Sequence, residues 1–161
     1  MAETLSKQQT IKKEVSLNGV GLHTGKEVTL TFKPAPENSG YIFKRTDLED
    51  YPTIEADAAY VVNTQRGTTL EKNGVSIHTS EHVLAACVGL EIDNLIIELN
   101  SSEPPIMDGS SKFFVKALEE AGIEIQDAER DEFVITDVIS YKDEKTGSEI
   151  LVMPADNYQV T

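Results

Sequence analysis

The chain has 161 residues, with 14 Lys+Arg against 28 Asp+Glu and a formal charge of −14. That length suits one domain of ordinary size with room for the start of a second, and 39% hydrophobic with 26% charged residues is a folding, globular balance. So large an excess of acid argues against nucleic acid as a partner, because phosphate binding draws on clustered Lys and Arg. No apolar run approaches the roughly 20 residues that span a bilayer, and the first residues lack the apolar core of a signal peptide. The expectation is a cytoplasmic protein with no transmembrane segment.

Apolar and polar residues alternate from Thr10 to Leu17, which predicts one strand with a buried face, and the same alternation predicts a second over Val28 to Phe32. Asn18-Gly19, Gly21 and Gly25 supply turn chemistry between them. Pro34 and Pro36 end the second strand, and Tyr41 to Lys44 offers a third. Short β segments follow around Ile54 and Val61-Val62. Thr68 to Leu70 and Val75 to Ile77 then flank Asn73-Gly74, the strongest hairpin signal in the chain.

The period then changes. Thr79 and Ser80 offer capping hydroxyls, the next residues are apolar almost throughout, and Gly89 supplies a stop, so a short, largely buried helix is expected near 80–89. Leu95 to Leu99 reads as a strongly apolar strand. Pro104 to Ser111 is too rich in Pro and Gly to be regular. It leads into a second helix over Lys112 to Ala121, with Phe113, Phe114, Ala117 and Leu118 on one side and Gly122 at its end. Glu124 to Glu132 is acidic and aperiodic, the best linker candidate. Phe133 to Tyr141 and Glu149 to Met153 then read as strands flanking Lys145-Thr146-Gly147, and Tyr158-Gln159-Val160 as the beginning of another.

The expected architecture is therefore α+β: a two-layer lobe over residues 1–129, with a mostly antiparallel sheet packed on two helices. Residues 130–161 follow as the opening strands of a second, truncated lobe.

Several motifs carry chemistry or fail to. The glycines at 19, 21 and 25 suggest a phosphate loop, but that would need glycine at position 20 and a hydroxyl at 27, where Val20 and Glu27 stand. The segment also joins two strands rather than a strand and a helix. A glycine-rich turn is the better reading, in which His23 either lines a cleft or hydrogen-bonds the turn. Cys87, the single cysteine, lies in an apolar stretch and reads as a buried small hydrophobe, so any zinc site must rely on His and carboxylates.

His78-Thr79-Ser80-Glu81-His82 has the letters of an H-x-x-E-H zinc motif. If Thr79 or Ser80 caps the helix, however, His78 precedes the first turn and the two rings need not share a face. Glu81 and His82 would then stand side by side at the positive end of the helix dipole, which favours a carboxylate and the neutral imidazole that metals take. Three readings stay open: structural histidines, one ligand of a shared site, or a complete site. Asp108, followed by Gly109 and Ser110, reads as a turn or capping residue, with catalysis as the alternative.

Five stretches occur in one order: Gly19-Val20-Gly21-Leu22-His23-Thr24-Gly25, Arg45-Thr46-Asp47, Thr79-Ser80-Glu81-His82, Gly89 to Asn94, and Pro105-Ile106-Met107-Asp108-Gly109-Ser110. Together they resemble one family, the zinc-dependent UDP-3-O-acyl-N-acetylglucosamine deacetylases of bacterial lipid A synthesis. The resemblance implies two similar α+β lobes with the active site between them, of which this chain would be the first and the opening of the second.

It further implies Zn2+ as cofactor, Glu81 as general base and His82 as one zinc ligand. The remaining ligands would come from a His-Lys-x-x-Asp segment and a later His beyond Thr161, while His78 is not a ligand position. Leu22, His23, Thr64 and Arg66 would line the substrate, UDP-3-O-acyl-N-acetylglucosamine. One departure is Arg66-Gly67, where many relatives carry Leu-Cys.

The implied reaction is hydrolysis of the N-acetyl group to acetate and a free amine, completed only with the second lobe, so that this segment alone is expected to be inactive. The rivals are a non-catalytic α+β binding or assembly module and a self-contained small metallohydrolase.

Overall fold

Residues 6–156 and 159–160 are described by the computed structural model, and the chain divides into two compact units, residues 1–130 and 131–161. The alternation over residues 10–17 belongs to two strands rather than one. β1 (Lys7–Ile11) is followed by a break at residues 12–14 and then by β2 (Val15–Val20). Alternation reports which side is apolar, but not which sheet the backbone bonds to. β2 pairs antiparallel with β3 (Glu27–Pro34), whereas the partner of β1 comes from far along the chain.

The main sheet has the order β2-β3-β9-β4-β5, with β4 at Tyr41–Arg45, β5 at Thr53–Glu55 and β9 at Leu95–Leu99. Its neighbours are antiparallel except for β4 and β9, which run parallel in the register Tyr41↔Leu95 to Arg45↔Leu99. One face is apolar and closed: Val28, Leu30, Phe32, Phe43, Ile54, Leu95, Ile97 and Leu99 are all buried. The other carries Lys33 and Lys44 at 2.8 and 3.1 Å from the carboxylate of Glu98. The period-2 pattern of each strand thus sorts apolar from charged residues across the sheet.

Two helices belong to the buried face, α1 (Glu81–Gly89) and α2 (Lys112–Ala121). Phe114 of α2 meets Phe32 of β3 edge to face, with ring centroids 6.4 Å apart and planes at 88°, a geometry worth about 0.5–1.5 kcal/mol beyond area burial. α2 buries Phe114, Ala117, Leu118 and Ala121. Phe113 lies at the margin of that face, 40% exposed. α1 is less enclosed than its composition suggests, since it buries Val83, Ala86 and Cys87 while Ala85, Val88 and Gly89 are exposed. Nor does Gly89 form its stop. It is the last helical residue, and the left-handed position is Glu91, at φ 55°.

The stretch expected as a linker is largely a strand, β10 (Ile123–Glu129), which pairs antiparallel with β1 from Lys7↔Glu129 to Ile11↔Ile123. It lacks apolar periodicity because amides hold its inner side. The Asn94 carboxamide donates to Gln126 Oε1 at 2.7 Å and Gln126 Nε2 donates to the Ala35 carbonyl at 3.0 Å. Gln8 and Asn94 in the same network are buried, and fully bonded polar groups can replace apolar ones there. Arg130, at the strand's end, pairs with Asp93 at 2.8 Å.

A small sheet of β6 (Val61–Asn63), β7 (Thr69–Lys72) and β8 (Val75–Ile77) completes the first unit. Asn73 and Gly74 turn its hairpin at φ 52° and 77°, the primed turn that the Asn-Gly pair signals. Arg45, 8% exposed, docks this hairpin on β4 through its guanidinium. It binds both oxygens of Asp47 at 2.8 Å and donates to the Ser76 carbonyl at 3.0 Å.

In the second unit, β11 (Ile139–Lys142) and β12 (Glu149–Val152) form an antiparallel hairpin. The strand expected over Phe133 to Tyr141 begins only at Ile139. Tyr158 lies outside the described residues, and Gln159 and Val160 are not in a strand. None of the described residues of this unit is buried.

Replacing Phe114 by Ala removes the centre of the helix–sheet contact. The expected loss is about 3–5 kcal/mol, read as a lower denaturant midpoint for the chain.

Candidate active site

The site is assembled from four connections around the start of α1. β8 ends at Ile77, and the His78 amide donates to the Ser102 carbonyl at 2.8 Å. Thr79 then takes a left-handed conformation, φ 54°, which swings the chain into the helix. The hydroxyls of Thr79 and Ser80 do not cap that helix. Ser80 gives its amide and its Oγ to the Thr68 carbonyl at 3.2 and 3.1 Å, and Thr79 Oγ1 donates to Glu103 at 3.1 Å. Both are buried and tie α1 to its neighbours.

Glu81 and His82 are adjacent in the first turn. Glu81 Oε2 accepts from the Thr68 amide at 2.8 Å, and Glu81 Oε1 lies 4.0 Å from His82 Nε2. That distance is too long for a hydrogen bond, and the side chains are 39% and 31% exposed respectively. The backbone carbonyl of His82 accepts from Ser111 Oγ at 2.8 Å, which joins the starts of the two helices. His78 is placed apart: its ring nitrogens lie 3.2 Å from Thr69 Oγ1 and 3.3 Å from Ser76 Oγ, within the hairpin. Among the described residues no three His, Cys, Asp or Glu side chains come together as a ligand set.

Beside this turn is a cavity of about 330 Å³ lined by His23, Thr24, Asn63, Gln65, Arg66, Gly67, Thr69, His78, Thr79 and Glu103. His23 and Arg66 therefore face one space. Leu22, 54% exposed, and Thr64, also exposed, are on the same two loops but do not line it. Gly67 stands between cavity and carboxylate, where an added Cβ would lie 3.3 Å from Glu81 Oε1.

Asp108 is exposed and holds its own turn, accepting from the Ser110 amide at 3.0 Å and from Ser110 Oγ at 2.7 Å. Those two bonds hold its carboxyl below the ordinary carboxylate range. Cys87 is fully buried, and burial pushes its thiol up to about 12, so it presents no thiolate.

Glu103 carries no signal in the sequence beyond being a lone acid between Ser101-Ser102 and Pro104-Pro105. It is 0% exposed. It accepts from the His23 amide at 3.1 Å to both oxygens and from the Thr24 amide at 2.9 Å. Burial pushes this carboxyl up, but the amides of Thr24 and His23 and the hydroxyls of Thr24 and Thr79 outweigh it and hold it below the usual carboxylate range.

The LpxC family, UDP-3-O-acyl N-acetylglycosamine deacetylase, matches residues 8–161. A bifunctional enzyme LpxC/FabZ of Bacteroides thetaiotaomicron is 49% identical over 154 residues, covering 96% of this chain and 33% of that protein. A UDP-3-O-acyl-N-acetylglucosamine deacetylase of Myxococcus xanthus is 44% identical over 155 residues, covering 96% of this chain and 48% of its own length. A further deacetylase of the same name, from a Psychrobacter species, is 49% identical over 122 residues, 76% of this chain and 41% of its own. An α+β chain that matches this family over residues 8–161 falls among the deacetylase-family proteins. The chain belongs to the LpxC deacetylase family, and spans from a third to about half of these relatives' length.

A carboxyl depressed in the folded state contributes stability above its unfolded pKa of about 4.3. That contribution is lost as pH falls through the lower folded value. The acid-induced loss of stability should therefore be shallower in Glu103→Gln, checked by denaturant midpoints measured from neutral pH to below 4.3 or so.

Proposed function

We propose that this chain is the first lobe of a zinc-dependent, cytoplasmic amidase that removes the N-acetyl group of UDP-3-O-acyl-N-acetylglucosamine, an early step of lipid A biosynthesis. The observation that carries the reading is the placement of Glu81 and His82 together at the start of α1, beside the cavity, in a chain that matches the family over residues 8–161. Residues 131–161 are on this reading the opening strands of a second lobe. Support comes from a hairpin whose apolar residues Ile139, Tyr141, Ile150 and Leu151 are 50–64% exposed and from the share of the relatives' length that the chain spans. Among the described residues no helix is long and apolar enough to cross a membrane.

The donor set fits one corner of a zinc site, because His82 offers a partly exposed imidazole with a carboxylate alongside and His78 is occupied in the hairpin. His82 would hold the ion together with ligands from outside this segment. Zinc in such a site supplies Lewis-acid polarisation of an amide carbonyl and a lowered pKa for water. The chain's own contribution is proton transfer. The Thr68 amide fixes Glu81 Oε2, leaving Oε1 on the His82 side to accept the proton of the attacking water. Addition of that water to the acetamide carbon and cleavage of the C–N bond yield acetate and the free amine, with an acid from the second lobe protonating the leaving nitrogen. His23 and Arg66 would face the sugar nucleotide, with Leu22 and Thr64 on the margins of the same loops.

In the full-length enzyme, Glu81→Gln should lower kcat by about 10²–10⁴-fold while metal analysis shows zinc retained. Unchanged turnover removes Glu81 as base. The 161-residue chain alone should show no deacetylase activity and only weak zinc binding; tight one-to-one binding would make it a self-contained metal site.

A further inference from the structure

We propose that Glu103 is a positioning residue, tying the loop of residues 21–25 to the turn before α1 so that one wall of the cavity is held in register with Glu81 and His82. The reaction that reports on it rests on the deacetylase reading; the geometry does not.

Glu103 is fully buried, and among the described residues no lysine or arginine pairs with it. Its donors come from two places that are distant in sequence. The amides of His23 and Thr24 belong to the loop that lines the cavity, and Thr79 Oγ1 belongs to the turn two residues before Glu81. Burying a carboxylate without a cation is unfavourable until hydrogen bonds replace its lost hydration, and an apolar side chain would avoid that cost. What an apolar residue lacks is direction: it would fill the space without orienting these donors.

The loop is shaped to the carboxylate. A Cβ at Gly21 would lie 2.6 Å from Glu103 Oε2 and 2.3 Å from Thr24 Oγ1, so only glycine lets the backbone approach this closely. Pro104 and Pro105, both buried, follow Glu103 directly, and the Ile106 amide donates to the Val20 carbonyl at 3.0 Å. The wall at Gly67 and Thr69 is held in a parallel way, since Thr68 between them is bonded through its amide to Glu81 and through its carbonyl to Ser80. Residues 79–81 thus reference both walls, one through Glu81 and the other through Glu103.

Every partner of Glu103 is a donor, so a carboxamide at 103 points its NH2 at an N–H, and Glu103→Gln keeps the shape but breaks the tie. Thr79→Val breaks only the link to α1. In the full-length enzyme, kcat and KM normalised to zinc content are measured for both, together with amide hydrogen exchange over residues 21–25 and 78–82.

Glu103→Gln should raise KM and lower kcat, each about tenfold or more, because small misplacements near reacting groups are costly, and should accelerate exchange at His23 and Thr24. Thr79→Val should lower kcat with KM near wild type and leave exchange at His23 and Thr24 slow. Wild-type kcat, KM and exchange in Glu103→Gln overturn the proposal, as does a smaller folded fraction with both constants unchanged per folded enzyme. If Glu103→Gln does not fold, Thr79→Val decides: unchanged kcat overturns the proposal and a selective fall supports it. Glu81→Gln run in parallel separates the two questions. If it keeps full turnover, Glu81 is not the base, and if the wild-type enzyme turns over no substrate the deacetylase reading itself fails; in either case the exchange results still judge Glu103.

Discussion

β9 is hydrogen-bonded on both sides, antiparallel to β3 and parallel to β4, and Leu95, Ile97 and Leu99 point from it into the core with no exposed surface. A strand held this way has no freedom to slide, since a one-residue slip would move all three to the charged face beside Glu98. Its end therefore delivers residues 100–105 to a fixed place. Asn100 accepts the Thr29 amide at 2.8 Å, Ser102 accepts the His78 amide, and Glu103 arrives beneath the 21–25 loop. The site loops are short and polar, with little apolar area of their own, and take their positions from this strand.

The helices then set the direction of the chemistry. α2 is anchored through Phe114 on Phe32, and Ser111 just before it holds the first turn of α1 by the His82 carbonyl. Glu81 and His82 are consequently presented from a turn whose backbone is bonded on three sides, to Thr68, Ser102 and Ser111. One oxygen of Glu81 is held by the Thr68 amide, which orients the carboxylate without neutralising it, as the proposed role of base requires. His82 beside it is less constrained, which on the proposed reading suits a ligand completed by groups outside this segment.

Buried polar groups define much of this lobe. The Gln8–Asn94–Gln126 amides hold β1 and β10 together where a small domain would commonly use leucine, and Arg45 with Asp47 seats the hairpin. The Arg45 guanidinium holds the Asp47 carboxyl below its ordinary range, as a two-point charged pair should. Each network is satisfied among the described residues, with no buried side-chain nitrogen or oxygen left without a partner. Such contacts add little net stability but penalise alternative packings heavily.

Local patterns determined much of this chain on their own. Period-2 alternation placed the strands around Leu30 and Phe43, an apolar run the strand around Ile97, the Asn73-Gly74 pair its hairpin, and the apolar face and Gly122 the second helix, because these depend on neighbours a few residues away. The family was legible too, since its motifs are runs of adjacent residues. Tertiary structure alone decided that residues 10–17 serve two sheets, that acidic residues 123–129 are a strand rather than a linker, and that the hydroxyls at 79 and 80 tie loops instead of capping a helix. It also decided the part played by Glu103, whose donors lie about 80 and 24 positions away. Hydrogen-bond partners at that separation leave no trace in periodicity or propensity, because their pairing is set by where the core places the strands.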